Sequence, residues 1–284
     1  MVTITEKAYA KINLFLEVCE KREDNYHNID SVMQSVSLCD IITVTENDAI
    51  VLSNNAGLPN TSDNLAYKAA KLFFEYTNIN KGVNIHIEKN IPISAGLAGG
   101  STDAAATFKA LNKLYNTNLS NDTLCTLGTK LGADIPFCIK GGTYITKGIG
   151  EILTPCPSLP DCYIVISKCG EGVSTPYAYK QIDEMRLTDN SKIKTSVDIV
   201  KKLEIGNITD IANEMYNIFE KVVEPIRPKV KEQKDILSKY SPVCSMMSGS
   251  GPSVFGIFDN KQSAENALKE LLQYGADAHL CNPI

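Results

Sequence analysis

The sequence predicts a protein of mixed strands and helices in two domains, and three observations carry that prediction. The chain has 284 residues, which at roughly 100–200 residues per domain gives two domains or one large one. Its first 50 residues read as strands and turns, whereas helical and strand patterns are mixed beyond them. A cluster of Pro155, Pro157 and Pro160 interrupts the chain just past its middle.

Taken in order, Ala10–Cys19 is apolar and extended, and Glu20–Asn28 is a polar turn. Ser31–Glu46, rich in Val, Ile and Thr, reads as a pair of strands. Ser53–Ser62, with Asn, Gly and Pro, reads as a loop. Asn64–Tyr76 places Leu65, Ala69, Leu72, Phe73 and Tyr76 on one helical face, with Asp63 as the N-cap. Val83, Ile85 and Ile87 alternate with Asn84, His86 and Glu88, which predicts a half-buried strand with His86 on its polar face. Asn90–Gly100 is a Gly-rich loop opening a helix over Ser101–Tyr115. Thr123–Leu131 reads as a shorter helix, broken at Gly132–Phe137, and Gly141–Thr154 as a strand pair. Past the prolines come a strand over Cys162–Ser167 and several helices between Pro176 and Tyr240. A hairpin at Ser248–Pro252, a strand over Ser253–Phe258 and a helix over Ser263–Gln273 follow.

Composition narrows the function. A net charge of −5 with no run of Lys or Arg argues against a nucleic-acid partner, which needs a basic footprint. No apolar stretch approaches the roughly 20 residues that cross a bilayer. The first residues show no basic segment followed by an apolar one, so no signal peptide is expected. Nine cysteines, an odd number with no Cys-x-x-Cys pair, read as reduced thiols of a cytoplasmic protein. His27, His86 and His279 lie far apart, so a His/Cys metal site has little support.

The loop Pro92-Ile93-Ser94-Ala95-Gly96-Leu97-Ala98-Gly99-Gly100-Ser101-Thr102 carries the strongest local signal. It follows a strand and opens a helix, whose free N–H groups and positive dipole end attract phosphate. Gly96, Gly99 and Gly100 would let the backbone adopt positive φ and approach an anion. Ser101 and Thr102 offer hydroxyls to phosphate or Mg2+. The loop lacks the Gly-Lys-Ser/Thr ending of a P-loop and the Gly-x-Gly-x-x-Gly of dinucleotide folds. Taken singly, Lys11, Asp134 and the Ser248–Pro252 turn read as ordinary surface features.

Together these residues resemble the GHMP kinases (galactokinase, homoserine kinase, mevalonate kinase and relatives). The resemblance rests on Ala10-Lys11-Ile12-Asn13-Leu14-Phe15-Leu16, Asn25-Tyr26-His27, Asp63-Asn64-Leu65, the loop Pro92–Thr102, Gly132-Ala133-Asp134-Ile135-Pro136-Phe137, Gly148-Ile149-Gly150-Glu151 and Ser248–Gly251. It covers nearly the whole chain and thins out in the second half. Ala98 stands where glycine is frequent.

The resemblance implies an α+β protein with the two-domain GHMP kinase fold, with domains over 1–155 and 156–284 and the active site in the interdomain cleft. The N-terminal domain would be like ribosomal protein S5 domain 2, with a left-handed βαβ crossover, an exception to the usual handedness. It implies ATP as phosphoryl donor, with Mg2+, and a cytidine diphosphate alcohol as acceptor. Asp134 would take the acceptor hydroxyl's proton, with Lys11 near both that carboxylate and the transferring group. Pro92–Thr102 would wrap the triphosphate, and Asn64, Leu65 and Lys89 would match adenine-pocket positions. Asn13, Tyr26, His27 and Tyr179 would hold the acceptor, the last three at its base. A monomer or homodimer is expected. Two rivals remain at this point: a homoserine- or mevalonate-type enzyme, which has no base to hold, and a catalytically dead nucleotide sensor, which the joint presence of Lys11 and Asp134 disfavours.

Overall fold

A computed structural model describes residues 2–57, 61–187 and 193–284. By packing, the chain divides into two discontinuous units. The first comprises residues 1–10, 39–91 and 98–141; the second comprises residues 11–38, 92–97 and 142–284. The boundary expected at 155/156 is a division of a different kind, drawn along the sequence rather than by packing.

Two long strands, β1 (Thr3–Lys21) and β2 (His27–Asn47), contribute to both units. The first unit adds β3 (Ile50–Asn54), α1 (Leu65–Thr77), β4 (Gly82–Glu88), α2 (Gly99–Leu114), α3 (Asn121–Thr129) and α4 (Ile135–Lys140). β3, α1 and β4 form a βαβ unit, because β3 and β4 pair in parallel, Ile50 opposite Val83. β4 then pairs antiparallel with residues 41–47 of β2. Val83, Ile85 and Ile87 are buried and the residues between them exposed, so the alternation holds and His86 lies on the polar face. These side chains meet Phe73, Phe108 and Leu111 of the helices in one core.

The second unit adds β5 (Thr143–Lys147), β6 (Ile152–Pro155), β7 (Tyr163–Lys168), α5 (Thr175–Arg186), α6 (Val197–Ile205), α7 (Ile208–Glu214), β8 (Tyr216–Asn217), α8 (Glu220–Val223), α9 (Pro228–Ser238), β9 (Cys244–Met247), β10 (Val254–Phe258), α10 (Lys261–Gln273) and β11 (Asp277–Cys281). A four-stranded antiparallel sheet runs β11-β7-β10-β9. Residues 31–34 of β2 pair with β5, and β8 adds in parallel to β1 at Phe15 and Leu16. Val165, Val254, Phe258 and Leu271 centre its core.

Several sequence expectations shift. Ser31–Glu46 is one strand, not two; its halves have different partners, β5 and β4. Ile50–Asn54, expected partly as loop, is a strand because β4 supplies its partner. The N-cap of α1 is Asn64 rather than Asp63: its Oδ1 accepts from Ala66 N at 2.8 Å. The buried face of α1 is Ala66, Ala69, Ala70, Phe73 and Phe74, and Tyr76 is exposed. Gly132–Phe137 does not only break α3; Pro136 sits in the first turn of α4, where its missing N–H costs nothing. All nine cysteines are free thiols; Cys162 and Cys281 are buried and the others half-buried.

Candidate active site

In the second unit, β1 carries Lys11 into the interior, with 5 % of its surface exposed. Its Nζ donates to Asn13 Oδ1 at 2.6 Å, Asn13 Nδ2 donates to Ser31 Oγ at 2.9 Å, and Ser31 Oγ donates to the Phe15 carbonyl at 2.6 Å. A buried ammonium is held in one orientation by this relay. Lys11 N also donates to the Leu97 carbonyl at 3.2 Å, which ties the Gly-rich loop to the same strand.

Within residues 92–97 the loop is held from two further sides. Lys168 Nζ donates to the Ile93 carbonyl at 2.6 Å, and Ser248 Oγ donates to the Gly96 carbonyl at 3.1 Å. The turn after β9 is fixed in turn by Asn217, whose Nδ2 donates to the carbonyls of Met247 at 2.7 Å and Gly249 at 2.9 Å. A Cβ on Gly249 would lie 3.0 Å from the Gly96 carbonyl and 3.4 Å from Lys11 Nζ. The Ser248–Gly251 turn therefore backs the Gly-rich loop segment and the lysine together.

The positive φ expected at Gly96 is present, while at Gly99 and Gly100 it is not. Ser94, Gly96 and Ala98 are left-handed, at +52°, +73° and +60°. Gly99 and Gly100 are instead the first two helical residues of α2. At Gly96 the demand for glycine is absolute, because a Cβ would come within 2.2 Å of the Ser248 carbonyl oxygen. Ala98, the frequent-glycine position, carries the left-handed strain with a methyl group.

In the first unit, α2 presents the backbone N–H groups of Gly99, Gly100 and Ser101 free of intrahelical partners, the first turn closing with Thr102 N on the Ala98 carbonyl. The Thr102 hydroxyl, offered above for phosphate, instead donates to the Tyr9 carbonyl at 2.8 Å. Ser101 keeps its hydroxyl free among the described residues. Leu65 lies against Gly100, whose added Cβ would meet its Cδ1 at 3.5 Å. Asn64 spends its Oδ1 as the α1 cap. Asp134 precedes α4, half-buried, and its carboxylate has no hydrogen-bond or ion-pair partner among the described residues.

Lys89 lies in a buried cluster that sequence reasoning missed. Its Nζ, on a side chain 6 % exposed, bonds Asp40 Oδ2 and, at 2.8 Å, Asp103 Oδ2. Asp40 Oδ1 accepts the N–H groups of Asn90 at 2.6 Å and Ile91 at 2.8 Å, where the chain enters the loop; Asp103 is the fifth residue of α2, where it leaves. Burial foremost, and the nearby Asp40, push the Asp103 carboxyl up to about 7 against the pull of Lys89. Burial opposes the Lys89 charge, but the two carboxylates outweigh it and hold the ammonium above its usual range. A lone charge inside an apolar strand, Asp40, and one in an Ala-rich helix, Asp103, were the sequence signals available. Lys89→Met is expected to destabilise the protein by about 3–5 kcal/mol, because it strands two buried carboxylates. A thermal or urea melt measures it; a loss under about 1 kcal/mol would show the cluster to be dispensable.

The base-binding candidates lie in the second unit. The His27 ring stacks on Tyr179, centroids 5.0 Å apart and planes 19° apart, and Tyr179 meets Phe219 edge-on. His27 Nε2 lies 2.7 Å from Asp183 Oδ1, a residue that a polar helix sequence does not single out. Tyr26 is 62 % exposed, a ring with room for a stacking partner.

The GHMP kinases N terminal domain model matches residues 64–142, and the GHMP kinases C terminal model matches residues 199–277. The chain is 44 % identical over 268 residues to the 4-diphosphocytidyl-2-C-methyl-D-erythritol kinase of Caldicellulosiruptor bescii, covering 93 % of each chain. It is 41 % identical over 283 residues to that of Alkaliphilus metalliredigens, covering 99 % of this chain and 96 % of the relative. A crystal structure of 4-(cytidine 5'-diphospho)-2C-methyl-D-erythritol kinase superimposes with a TM-score of 0.83 at 31 % identity over 99 % of both chains. The mevalonate kinase of L. major shares the fold alone, with a TM-score of 0.78 at 16 % identity over 99 % of this chain and 96 % of that one. With both family halves matched and identity above 40 % sustained along the chain, this protein belongs to the GHMP kinases and, among them, to the 4-diphosphocytidyl-2-C-methyl-D-erythritol kinases.

Proposed function

We propose that this protein transfers the γ-phosphoryl group of ATP to the 2-hydroxyl of 4-diphosphocytidyl-2-C-methyl-D-erythritol, a step of non-mevalonate isoprenoid precursor synthesis. The observation that carries this reading is the contrast in identity: 41–45 % to kinases of that name, against 16–19 % to mevalonate and homoserine kinases of the same fold.

Phosphoryl transfer asks the protein mainly for positioning and charge. Asp134, with its carboxylate unspent, accepts the proton of the acceptor hydroxyl. Lys11, immobilised by Asn13, stabilises the charge developing on the transferring group. Residues Pro92–Thr102 embrace the triphosphate, with the α2 N-terminus as the fixed positive end. Asn64, Leu65 and Lys89 match adenine-pocket positions, and Lys89 also bonds Asp40, which holds the backbone entering the loop, and Asp103 of α2, which leaves it. Asn13, Tyr26, His27 and Tyr179 receive the cytidyl acceptor.

Mg2+ would accompany ATP and neutralise its phosphates. Among the described residues no group of three His, Cys, Asp or Glu is placed to hold a metal. The free Ser101 hydroxyl is the loop oxygen that suits it. Domains over 1–155 and 156–284 place their boundary between the two family matches. No helix among the described residues is long and apolar enough to cross a membrane; a cytoplasmic monomer or homodimer with no nucleic-acid or membrane partner completes the proposal.

His27→Ala tests the acceptor assignment. Losing one buried hydrogen bond is worth about 1–3 kcal/mol, so KM for the cytidyl substrate should rise on the order of tenfold, with far less effect on KM for ATP. Equal effects on both would make His27 a residue of the fold rather than of the base site.

A further inference from the structure

The stack and hydrogen bond on His27 come from one helix face. Tyr179 and Asp183 are four residues apart on α5, so their side chains are neighbours. Tyr179 supports the imidazole plane while Asp183 Oδ1 meets its edge at Nε2, 2.7 Å away. The ring is thus fixed in both plane and rotation, with 6 % of the side chain exposed. Lys21 Nζ bonds the other oxygen, Asp183 Oδ2, at 3.2 Å. Partial burial would raise the Asp183 carboxyl, but the His27 and Lys21 hydrogen bonds outweigh it and hold the group below its usual range. An ionised carboxylate only accepts, so Nε2 must carry the proton. In the neutral ring Nδ1 is then a bare acceptor, and no described residue donates to it.

This sets what a base can offer to that edge. Cytosine presents an amino donor at N4, and uracil presents a carbonyl acceptor at the same place. A bare Nδ1 pairs with the first and faces the second lone pair to lone pair. We infer that Asp183 is a positioning residue that fixes the His27 tautomer and so makes the site select a cytosine over a uracil nucleotide. The inference rests on His27 contacting the base, as proposed above, and adds the group that decides which base it accepts.

The measurement is the ratio of kcat/KM for the cytidyl substrate to that for its uridyl analogue, in the wild type and in Asp183→Asn. An asparagine amide can accept from an Nε2 proton or donate to a bare Nε2, so it releases the tautomer while keeping the shape. The ratio should fall about tenfold or more, as expected when an acceptor no longer forces one pairing. General damage to the site would lower both substrates alike and leave the ratio standing. Nitrogen-15 shifts of the His27 ring in the wild-type enzyme give a second reading that needs no active variant; the other two histidines are separated by comparison with His27→Ala. The Nε2-protonated tautomer is expected. Finding the Nδ1-protonated form, or a ratio unchanged in Asp183→Asn while His27→Ala still raises the cytidyl KM, overturns the role of Asp183 alone. A His27→Ala enzyme with unaltered cytidyl KM overturns the base assignment itself, and the inference with it.

Discussion

Asp134→Asn is expected to lower kcat by about 10²–10⁴-fold with little change in either KM, since general-base catalysis contributes on that order. The asparagine keeps the size and the half-buried setting of the aspartate and removes only the proton acceptor. Its side chain holds no hydrogen bond to a described residue, so the substitution breaks nothing in the fold that would confuse the result. A loose transition state would give a different answer, because the hydroxyl then keeps its proton until late and orientation suffices. An asparagine enzyme with near wild-type kcat would reject the base role and leave Lys11 and the α2 N-terminus as the main catalytic devices. Lys11→Met should lower kcat under either mechanism, since it removes the charge that the proposed mechanism sets against the transferring group. Both variants need a normal melting curve before their rates are read.

Gly96→Ala should cost roughly 2–5 kcal/mol of stability and weaken ATP binding together, from left-handed strain plus forced displacement of packed backbone. The residue has φ +73°, and the new methyl would overlap the Ser248 carbonyl oxygen, a backbone atom that cannot swing away. Any relief must move the loop or the turn that backs Lys11. Gly99→Ala provides the contrast. Gly99 is helical, and its Cβ would rest in ordinary contact, 3.4 Å from Ile91 and 3.5 Å from Lys89 Nζ. The fold should accept it, so a raised KM for ATP there reports phosphate lying against the backbone. Calorimetric melts and ATP titrations of the two variants separate the cases; a Gly96→Ala protein as stable as the wild type would remove the loop-turn contact from the account.

Local patterns in the chain carried most of the elements and the motifs. The alternation of Val83, Ile85 and Ile87, the helix that opens at Gly99 and the strand around Lys11 are set by residues close in sequence. What stayed hidden depends on distant partners. β3 is a five-residue strand whose hydrogen bonds come from β4, some thirty residues on. The two halves of β2 read as separate strands because each is shaped by a different neighbour. Asp40 is tolerable inside a strand because Lys89 and the N–H groups of Asn90 and Ile91 reach it, and Asp183 meets His27 because α5 brings it there. The two packing units interleave along the chain, so no single linker marks them in the sequence. In the loop, glycine content pointed to phosphate, but which glycine is indispensable is decided by Ser248, more than 150 positions away.

The account stands on the acceptor. ATP consumption by the purified protein should be followed with 4-diphosphocytidyl-2-C-methyl-D-erythritol, homoserine and mevalonate offered one at a time, with Mg2+ present. The account predicts turnover with the cytidyl alcohol and background rates with the other two. Turnover with homoserine or mevalonate and none with the cytidyl alcohol would contradict it, as would a folded, ATP-binding protein that phosphorylates none of the three.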